Sequence, residues 1–189
     1  MEIKNFIKIY DEVLPWNVLC SVIKFANVSK FMETKIGAGE NTEVNFNVRK
    51  TYTLPVFKES NSLTNVHWFN LLYSYFKSGL QKYTKDLNIL DCEIKDITNI
   101  EILKYQDNGF YTWHVDHFAM IPRTISCILL LNNDYEGGNL CFRNPDGSNE
   151  WEIKVKPNRM IVWPSNFLYP HTVKPVTKGT RYSVVAWAL

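Results

Sequence analysis

The second half of the chain consists of short apolar segments separated by turn residues, and this pattern limits the possible folds more than any other feature. About eight segments are rich in β-branched and aromatic residues. They are Ile97–Tyr105, Tyr111–Val115, Thr124–Leu131, Leu140–Phe142, Trp151–Val155, Met160–Trp163, Thr172–Val176 and Arg181–Trp187. Gly, Pro, Asn and Asp cluster between them, as in Asn144-Pro-Asp-Gly147. This alternation predicts a sandwich or barrel of short strands, with a jelly roll as the leading candidate.

The first half has a different pattern that includes helices. Ile3–Ile9 alternates apolar and polar residues and predicts a strand. Pro15 suits the first turn of a helix. From Ser62 to Leu87 the apolar residues keep a helical period, which predicts the longest helix, with Gly79 as its weak point.

The expected fold class is therefore mainly β with flanking helices (α+β), a double-stranded β-helix (jelly roll) core covered by N-terminal helices. We expect a single domain over residues 1–189. Residues 1–92 form a helical and strand support region, and residues 93–189 form the jelly-roll core that carries the metal site. A length of 189 residues fits one such domain.

Charge and composition exclude several classes of protein. A net charge of +2 does not call for nucleic acid or an anionic membrane as a partner. No apolar run approaches the roughly 20 residues of a membrane span, and the N-terminus lacks a signal-peptide core, so we expect a cytoplasmic protein. The cysteines form no CxxC pair, which argues against a zinc ribbon or a disulfide scaffold; they are Cys20, Cys92, Cys127 and Cys141.

A candidate metal site begins at His114 and Asp116. On a strand these alternate residues share a face, and His117 points to the other face. A half-buried His–Asp pair is the structural alternative. His171 is the natural third ligand, because His67 lies on the long helix. Two histidines and one carboxylate on one face form the facial triad of non-haem Fe(II) oxygenases, although the same ligands also suit Zn²⁺, Mn²⁺ or Ni²⁺.

A candidate carboxylate receptor lies ten positions beyond His171. Arg181 and Ser183 share a strand face, and Trp187 lies further along it. A guanidinium fork with a hydroxyl group is well suited to bind a carboxylate. A dicarboxylate bound to the metal at one end and to Arg181 at the other would fit this spacing.

Together these residues resemble the 2-oxoglutarate and Fe(II)-dependent dioxygenases, and in particular their prolyl 4-hydroxylase branch. The resemblance covers roughly Ile97 to Leu189. It rests on Tyr105…Gly109-Phe-Tyr111-x-x-His114-Val-Asp116, Arg123-Thr-Ile-Ser-Cys-Ile-Leu-Leu-Leu-Asn132, Asp134-Tyr-Glu-Gly-Gly-Asn-Leu140 and His171-Thr-Val-x-Pro-Val-Thr-x-Gly-Thr-Arg181.

This resemblance implies a role for each matching residue. His114, Asp116 and His171 bind Fe(II), and Arg181 pairs with the far carboxylate of 2-oxoglutarate. Tyr105 hydrogen-bonds this cosubstrate and Trp187 lines its pocket. Some family members carry a tyrosine or threonine where this chain has Leu130, and Ser183 is the expected substitute. Ascorbate is a further expected cofactor.

The resemblance also implies a reaction. Decarboxylation of 2-oxoglutarate by O₂ would be coupled to hydroxylation of an unactivated C–H bond, in a prolyl residue of a peptide or protein. Tyr111 and Trp113 are candidate substrate contacts, with core packing as the alternative. Residues 34–52, with Gly37 and Gly39 as hinges, could form a lid.

Other functions stay open at this stage. The close rival substrate is a free amino acid or other small metabolite, whereas nucleic acid is disfavoured because no second arginine follows Arg181. A non-catalytic jelly-roll module that binds a metal, and a zinc hydrolase, are the alternatives from other classes. The hydrolase lacks a clear general base and leaves Arg181 without a role.

Overall fold

An antiparallel seven-stranded sheet forms the largest part of the fold in the computed structural model, which describes residues 2–38, 41–89, 94, 96–120 and 122–189. In spatial order its strands are β1 (Lys8–Asp11), β13 (Arg159–Pro164), β9 (Ile125–Leu130), β16 (Arg181–Ala188), β7 (Ile97–Tyr105), β6 (Tyr52–Pro55) and β2 (Met32–Glu33). The interior strand β9 is buried at every position, as expected for a strand covered on both faces.

A second, five-stranded sheet carries most of the remaining strands. In spatial order these are β12 (Trp151–Glu152), β11 (Leu140–Phe142), β14 (His171–Val173), β8 (Phe110–His114) and β5 (Arg49–Lys50). Two short ribbons complete the fold: β3 (Ile36–Ala38) pairs with β4 (Asn41–Glu43), and β10 (Glu136–Gly137) pairs with β15 (Val176–Lys178). Buried side chains from both large sheets form one core, including Leu130, Phe142 and Trp163. The predicted jelly roll is confirmed.

Two helices cover the other face of the seven-stranded sheet. They are α1 (Trp16–Val28) and α2 (Leu63–Asp86). Helix α2 begins after Ser62, whose hydroxyl accepts a hydrogen bond from the Asn65 amide at 3.4 Å. Its buried stripe includes Leu72 and Phe76, which join a second core with Ile100 of β7. The prediction that N-terminal helices cover the β core is confirmed.

Gly79 does not interrupt α2, contrary to the expected weak point. A Cβ atom at this position would collide with Met160 Sδ of β13. The missing side chain therefore allows the helix to lie close against the sheet, and the surrounding apolar contacts compensate for the low helix propensity of glycine.

The predicted strand over Ile3–Ile9 is wrong in its first part. Ile3–Phe6 is a 3-10 helix, and the strand runs over Lys8–Asp11. Ile3, Phe6 and Ile7 pack against the core between the sheets. Apolar residues at these positions satisfy a one-turn helix as well as an alternating pattern, so the sequence does not separate the two.

The predicted strand over Thr172–Val176 divides into two. His171–Val173 belongs to the five-stranded sheet, and Val176–Lys178 pairs with β10. Pro175 lies between them, and its lack of an amide N–H ends the first ladder. The Val176 amide instead bonds the Gly109 carbonyl oxygen at 2.9 Å.

Within the described residues, no helix is both long and apolar enough to cross a membrane. The cytoplasmic location stays a prediction. The expected boundary between residues 92 and 93 lies outside the described residues, as does Cys92.

Candidate metal centre

His114, Asp116 and His171 converge at one end of β8, where Asp116 lies in the bend that follows this strand. His114 ends β8 and stands opposite His171, the first residue of β14. The Asp116 Oδ1 atom lies 3.6 Å from His114 Nε2, and Oδ2 lies 3.5 Å from His171 Nε2. One ligand atom from each residue lies within 4.8 Å of the other two. This set of two imidazoles and one carboxylate can hold one divalent metal ion on a single face.

Both histidines point the same ring nitrogen at this centre. His114 Nδ1 lies 2.8 Å from the Thr112 carbonyl oxygen, and His171 Nδ1 lies 3.1 Å from the Tyr169 carbonyl oxygen. A carbonyl oxygen can only accept a hydrogen bond, so each Nδ1 carries the donated N–H and each Nε2 keeps its lone pair. The backbone therefore fixes the tautomer that a metal requires.

Asp116 receives a hydrogen bond from a buried serine pair. Ser126 Oγ of β9 donates to Asp116 Oδ2 at 2.7 Å and lies 2.8 Å from Ser165 Oγ. Because the single Ser126 proton is used on the carboxylate, Ser165 is the donor within the pair. Asp116, Ser126 and Ser165 are all buried, so the direction of this chain is fixed.

The electrostatics keep the ligands in metal-binding form. Burial and the neighbouring His171 lower the pKa of His114, which favours the neutral imidazole. Burial alone would raise the pKa of Asp116, but the two histidines and the Ser126 hydrogen bond outweigh it and lower that pKa. A neutral imidazole next to an ionised carboxylate is the state that coordinates a cation.

A β-bulge in β8 decides which aromatic residues reach the centre. His171 pairs with His114 and Val173 pairs with Tyr111, so Thr112 and Trp113 together oppose Thr172. The extra residue turns Tyr111 to the same face as His114, and their ring centroids lie 3.5 Å apart. Tyr111 lines the cavity at the centre and Trp113 does not.

Trp113 lies instead beside two cations. Its ring centroid is 4.2 Å from Arg143 Cζ and 5.3 Å from Lys174 Nζ. Tyr111 and Trp113 were equivalent candidates for substrate contact in the sequence, and the structure separates them. The assignment of Trp113 as a substrate contact finds no support in this position.

Arg181 is fully buried, and its guanidinium group is incompletely bonded. Its Nη1 donates to Ser183 Oγ at 2.9 Å, while Nε and Nη2 have no hydrogen-bond partner among the described residues. Its Cζ lies 4.9 Å from the Tyr105 ring centroid. A buried cation with two unused N–H groups is an expected receptor for a planar anion such as a carboxylate. Arg181 and Ser183 lie outside the cavity wall, whereas Tyr105 is part of it.

A cavity of about 440 Å³ opens over the metal ligands. Aromatic residues form much of its wall, namely Tyr105, Tyr111, Phe118, Trp163 and Trp187. Arg123 Cζ lies 3.8 Å from the Trp187 ring centroid. Polar and charged residues stand among these rings, including Glu33, Arg49, Glu101 and Arg123, and the volume is typical of small-ligand sites.

The remaining histidines lie away from the centre. His117 is exposed, and its Nδ1 lies 3.0 Å from the Arg123 carbonyl oxygen. His67 is exposed on α2 and contacts Trp68 edge to face. Neither belongs to the metal-ligand cluster found among the described residues.

Three site residues carried no role in the sequence interpretation. Ser126 could have been found, because it is the single hydroxyl residue in the apolar strand Ile125–Leu130. Tyr135 comes from a bend between strands. Burial raises the pKa of its hydroxyl group, and the nearby Arg181 cation opposes that rise. Arg49 comes from a polar segment of the first half, and no local pattern relates it to the centre.

Comparisons with known proteins agree with this geometry. Residues 100–189 match the family model of the 2OG-Fe(II) oxygenase superfamily. A PKHD-type hydroxylase of Aliarcobacter butzleri is 30% identical over 186 residues, covering 93% of this chain and 75% of the relative. A PKHD-type hydroxylase of Idiomarina loihiensis is 32% identical over 97 residues, 49% of this chain and 43% of the relative. For several such relatives the match thus spans less than half of their length.

Solved structures share the fold at low sequence identity. A prolyl hydroxylase from Trichoplax adhaerens, solved with a peptide fragment of the hypoxia inducible factor, superposes with a TM-score of 0.75 at 18% identity, covering 98% of this chain and 84% of that one. A prolyl-4-hydroxylase of Pseudomonas putida gives 0.70 at 17% identity, with 96% and 91% coverage. The fold, the ligand cluster and the full-length relative lead to one conclusion: the chain belongs to the 2OG-Fe(II) oxygenase superfamily.

Proposed function

We propose that this protein is an Fe(II)- and 2-oxoglutarate-dependent dioxygenase that hydroxylates an unactivated C–H bond, with a prolyl residue of a peptide or protein as substrate. The observation that carries the proposal is the convergence of His114, Asp116 and His171 in a fold that also holds a buried arginine, Arg181, with unused N–H groups. When bound, Fe(II) and 2-oxoglutarate supply the oxidising chemistry, and O₂ is the second cosubstrate.

His114, Asp116 and His171 would hold the iron through one atom each. Three ligands on one face leave the remaining positions for the cosubstrates. The carboxylate is that of Asp116, which accepts a hydrogen bond from Ser126, and a mixed set of imidazoles and one carboxylate suits Fe(II). The donor set therefore fits Fe(II) well, and the zinc hydrolase alternative still leaves Arg181 without a role.

Arg181 would bind the far carboxylate of 2-oxoglutarate. Its Nε and Nη2 atoms present two N–H groups without partners, and Ser183 Oγ, which already accepts from Nη1, can donate its own proton to the same carboxylate. Leu130 pairs with Ser183 across the sheet and offers only apolar surface at this point. Ser183 is thus the proposed substitute for the hydroxyl residue of other family members.

The aromatic cavity favours a compact apolar group such as a pyrrolidine ring. Tyr111 and Trp187 stand next to the metal ligands, and Trp163 packs edge-on against His171 at 5.0 Å between ring centroids. These rings would exclude water from the reacting carbon. The prolyl hydroxylases among the structural relatives support a prolyl substrate, and the peptide in the Trichoplax complex supports a substrate within a peptide.

Residues 34–52 are the proposed lid. Thr34, Lys35, Ile36, Gly37 and Thr42 stand on the cavity wall. Gly37 has a φ of 101°, which suits a hinge; Gly39 lies outside the described residues. We expect protease cleavage in this segment to slow when 2-oxoglutarate and a substrate peptide are both present. Cleavage at an unchanged rate would contradict the lid.

Anaerobic titration with Fe(II) and 2-oxoglutarate tests the proposed activity. Wild type should give a visible charge-transfer band and, with O₂ and ascorbate, succinate; the Asp116→Ala and His114→Ala variants should give neither. His117→Ala is the matched control, because His117 lies nearby and is exposed. Mass spectrometry of a proline-containing peptide library should then show addition of one oxygen atom. Without a band or succinate in wild type, a non-catalytic metal-binding module would be the better description.

A further inference from the structure

The cavity has a second polar end that the proposed reaction does not use. Residues of the first half of the chain form it, among them Thr34, Lys35, Arg49 and Thr53, together with Glu101 of β7. Thr53 Oγ1 donates to Glu101 Oε2 at 3.1 Å, so this carboxylate already has a partner. Arg49 has no such partner among the residues that the structure describes.

Arg49 contacts the metal centre indirectly, through the ring of Tyr111. It lies on β5 and pairs with Tyr111 of β8. Its Cζ lies 4.6 Å from the Tyr111 ring centroid, and the Tyr111 ring in turn stacks on His114. A single aromatic ring therefore separates this guanidinium group from a metal ligand.

The Arg49 guanidinium group has N–H donors that no described residue uses. Its Nε is buried without a partner, and no carboxylate lies within 4.0 Å of it in the described part of the chain. Arg159 shows the contrast, because it bonds both Asp11 oxygens at 2.7 and 2.9 Å. A guanidinium group at a cavity wall that has no anion beside it can bind a carboxylate through two parallel N–H···O hydrogen bonds.

Neither Asp116 nor 2-oxoglutarate supplies a carboxylate for Arg49. The carboxylate of Asp116 faces the metal, and the two carboxylates of 2-oxoglutarate are assigned to the metal and to Arg181. Arg123 adds a further cation at the wall, where its Nη1 meets only the Asp116 carbonyl oxygen at 3.4 Å. The cavity therefore keeps a positive charge at Arg49 after every proposed cofactor is placed.

We propose that Arg49 is a specificity residue that binds a carboxylate of the hydroxylated substrate. This inference rests on the proposed function and adds to it the chemical class of the substrate. Because only Tyr111 separates Arg49 from His114, the carboxylate must lie close to the reacting carbon. It is either the side chain of an Asp or Glu next to the target proline in a peptide, or the α-carboxylate of a free amino acid.

The test compares matched acid and amide substrates. One pair consists of proline peptides that carry Asp or Asn next to the proline, and the other consists of free L-proline and prolinamide. Wild type, Arg49→Gln and Arg49→Lys are compared. Lys50→Gln serves as the control, because Lys50 is the next residue of β5 and bonds the Asp107 carbonyl oxygen instead.

Arg49→Gln should weaken binding of the acid member by about 10- to 100-fold, the value of a hydrogen-bonded charge, and should leave the amide member unchanged. The affinity of Arg49→Lys for the acid member should lie between those of wild type and Arg49→Gln, because lysine keeps the charge but loses the planar pair of N–H donors. Lys50→Gln should leave the binding of both members at the wild-type level. Binding is measured anaerobically by the fluorescence of Trp163 and Trp187, so the readout does not depend on turnover.

The outcomes separate the inference from the function on which it rests. Absence of succinate in wild type overturns the proposed activity. Wild type that forms succinate but binds each acid no better than its amide overturns the Arg49 site, whether or not a substrate is hydroxylated. An acid preference found only with peptides identifies a side-chain carboxylate, and one found only with free proline identifies the α-carboxylate.

Discussion

At the scale of single residues, each metal ligand is oriented by a hydrogen bond to a neighbouring group. The two imidazoles use backbone carbonyl groups for this purpose, which any sequence can supply. Asp116 depends on a particular side chain, the Ser126 hydroxyl at 2.7 Å. Ser126 therefore acts on the metal through Asp116 and is a positioning residue.

Replacement of Ser126 by alanine should weaken metal binding by about 10- to 100-fold, the usual effect of losing an outer hydrogen bond to a ligand. Without its donor, Asp116 Oδ2 is free to rotate or to bind the metal with both oxygens. Isothermal titration with Co²⁺ measures the change. Ser126→Thr should restore most of the affinity, and Ser74→Ala, at an exposed helix position, is the control. Unchanged affinity in Ser126→Ala would show that the metal alone orients Asp116.

At the scale of elements, turns and strand edges bring the site residues together. A Cβ atom on Gly138 would lie 3.0 Å from Arg181 Cδ and 3.1 Å from Tyr135 Cε2. The tight turn after β10 thus leaves room for the arginine. The sequence signals this turn through Gly137 and Gly138, but it does not show which distant side chain packs against it.

Gly138→Ala should raise the 2-oxoglutarate requirement by at least about tenfold, because it displaces Arg181 from its binding geometry. Gly147→Ala is the matched control: Gly147 also has a positive φ, 86°, but nothing lies within 4 Å of its added Cβ. Both variants should lose roughly 1–2 kcal/mol of stability from backbone strain. The cosubstrate requirement, measured by succinate formation, should change in Gly138→Ala alone. An equal change in both would assign the effect to strain.

The edge strand β1 is joined to β13 by a charged cluster that should respond to acid. The hydrogen bonds from Arg159 lower the pKa of Asp11 from 3.8 to about 2. Desolvation opposes this shift, and Lys156 assists it. A lowered folded-state pKa contributes stability above 3.8, and this contribution is lost as the pH falls through about 2. Asp11→Asn should remove that part of the acid dependence, as measured by chemical unfolding at a series of pH values. Glu136→Gln, in an exposed ion pair with Lys178, should not.

Alternation along strands predicted the shared face of His114 and Asp116, and the long apolar period predicted α2. Both signals are local, so the sequence contains them in full. The orientation of Tyr111 was not predictable in this way, because the bulge arises from the pairing of β8 with β14, a strand more than fifty residues away. The position of Arg49 also depends on pairing between distant segments. Long-range register is the information that local periodicity lacks.

At the scale of the whole molecule, the first half of the chain completes both the core and the cavity. Helix α2 buries Ile100 of β7, and β5 extends the sheet that carries the metal ligands. The division into a support region over 1–92 and a core over 93–189 stays a prediction. The packing indicates that the second part depends on the first.

A fragment of residues 93–189 should therefore not unfold cooperatively. Without the helices, apolar residues of β7, β9 and β16 would be exposed to water, each costing about 1.5–3 kcal/mol. Thermal unfolding followed by circular dichroism compares the fragment with the full chain. Co-expression of residues 1–92 as a separate chain is the control and should restore a transition. A cooperative transition in the isolated fragment would show that the jelly roll folds independently.

The additional residue in β8 separates the length of this strand from the composition of the wall beside the metal centre. A chain shortened by a single codon between Tyr111 and His114 would resume strict alternation with these two residues two positions apart, so the phenol ring would stay on the same face. The bulge would vanish, while the ring would keep its support from Arg49. What such enzymes accept is therefore protected against a one-residue change in length at this point, and the three metal ligands are not affected either.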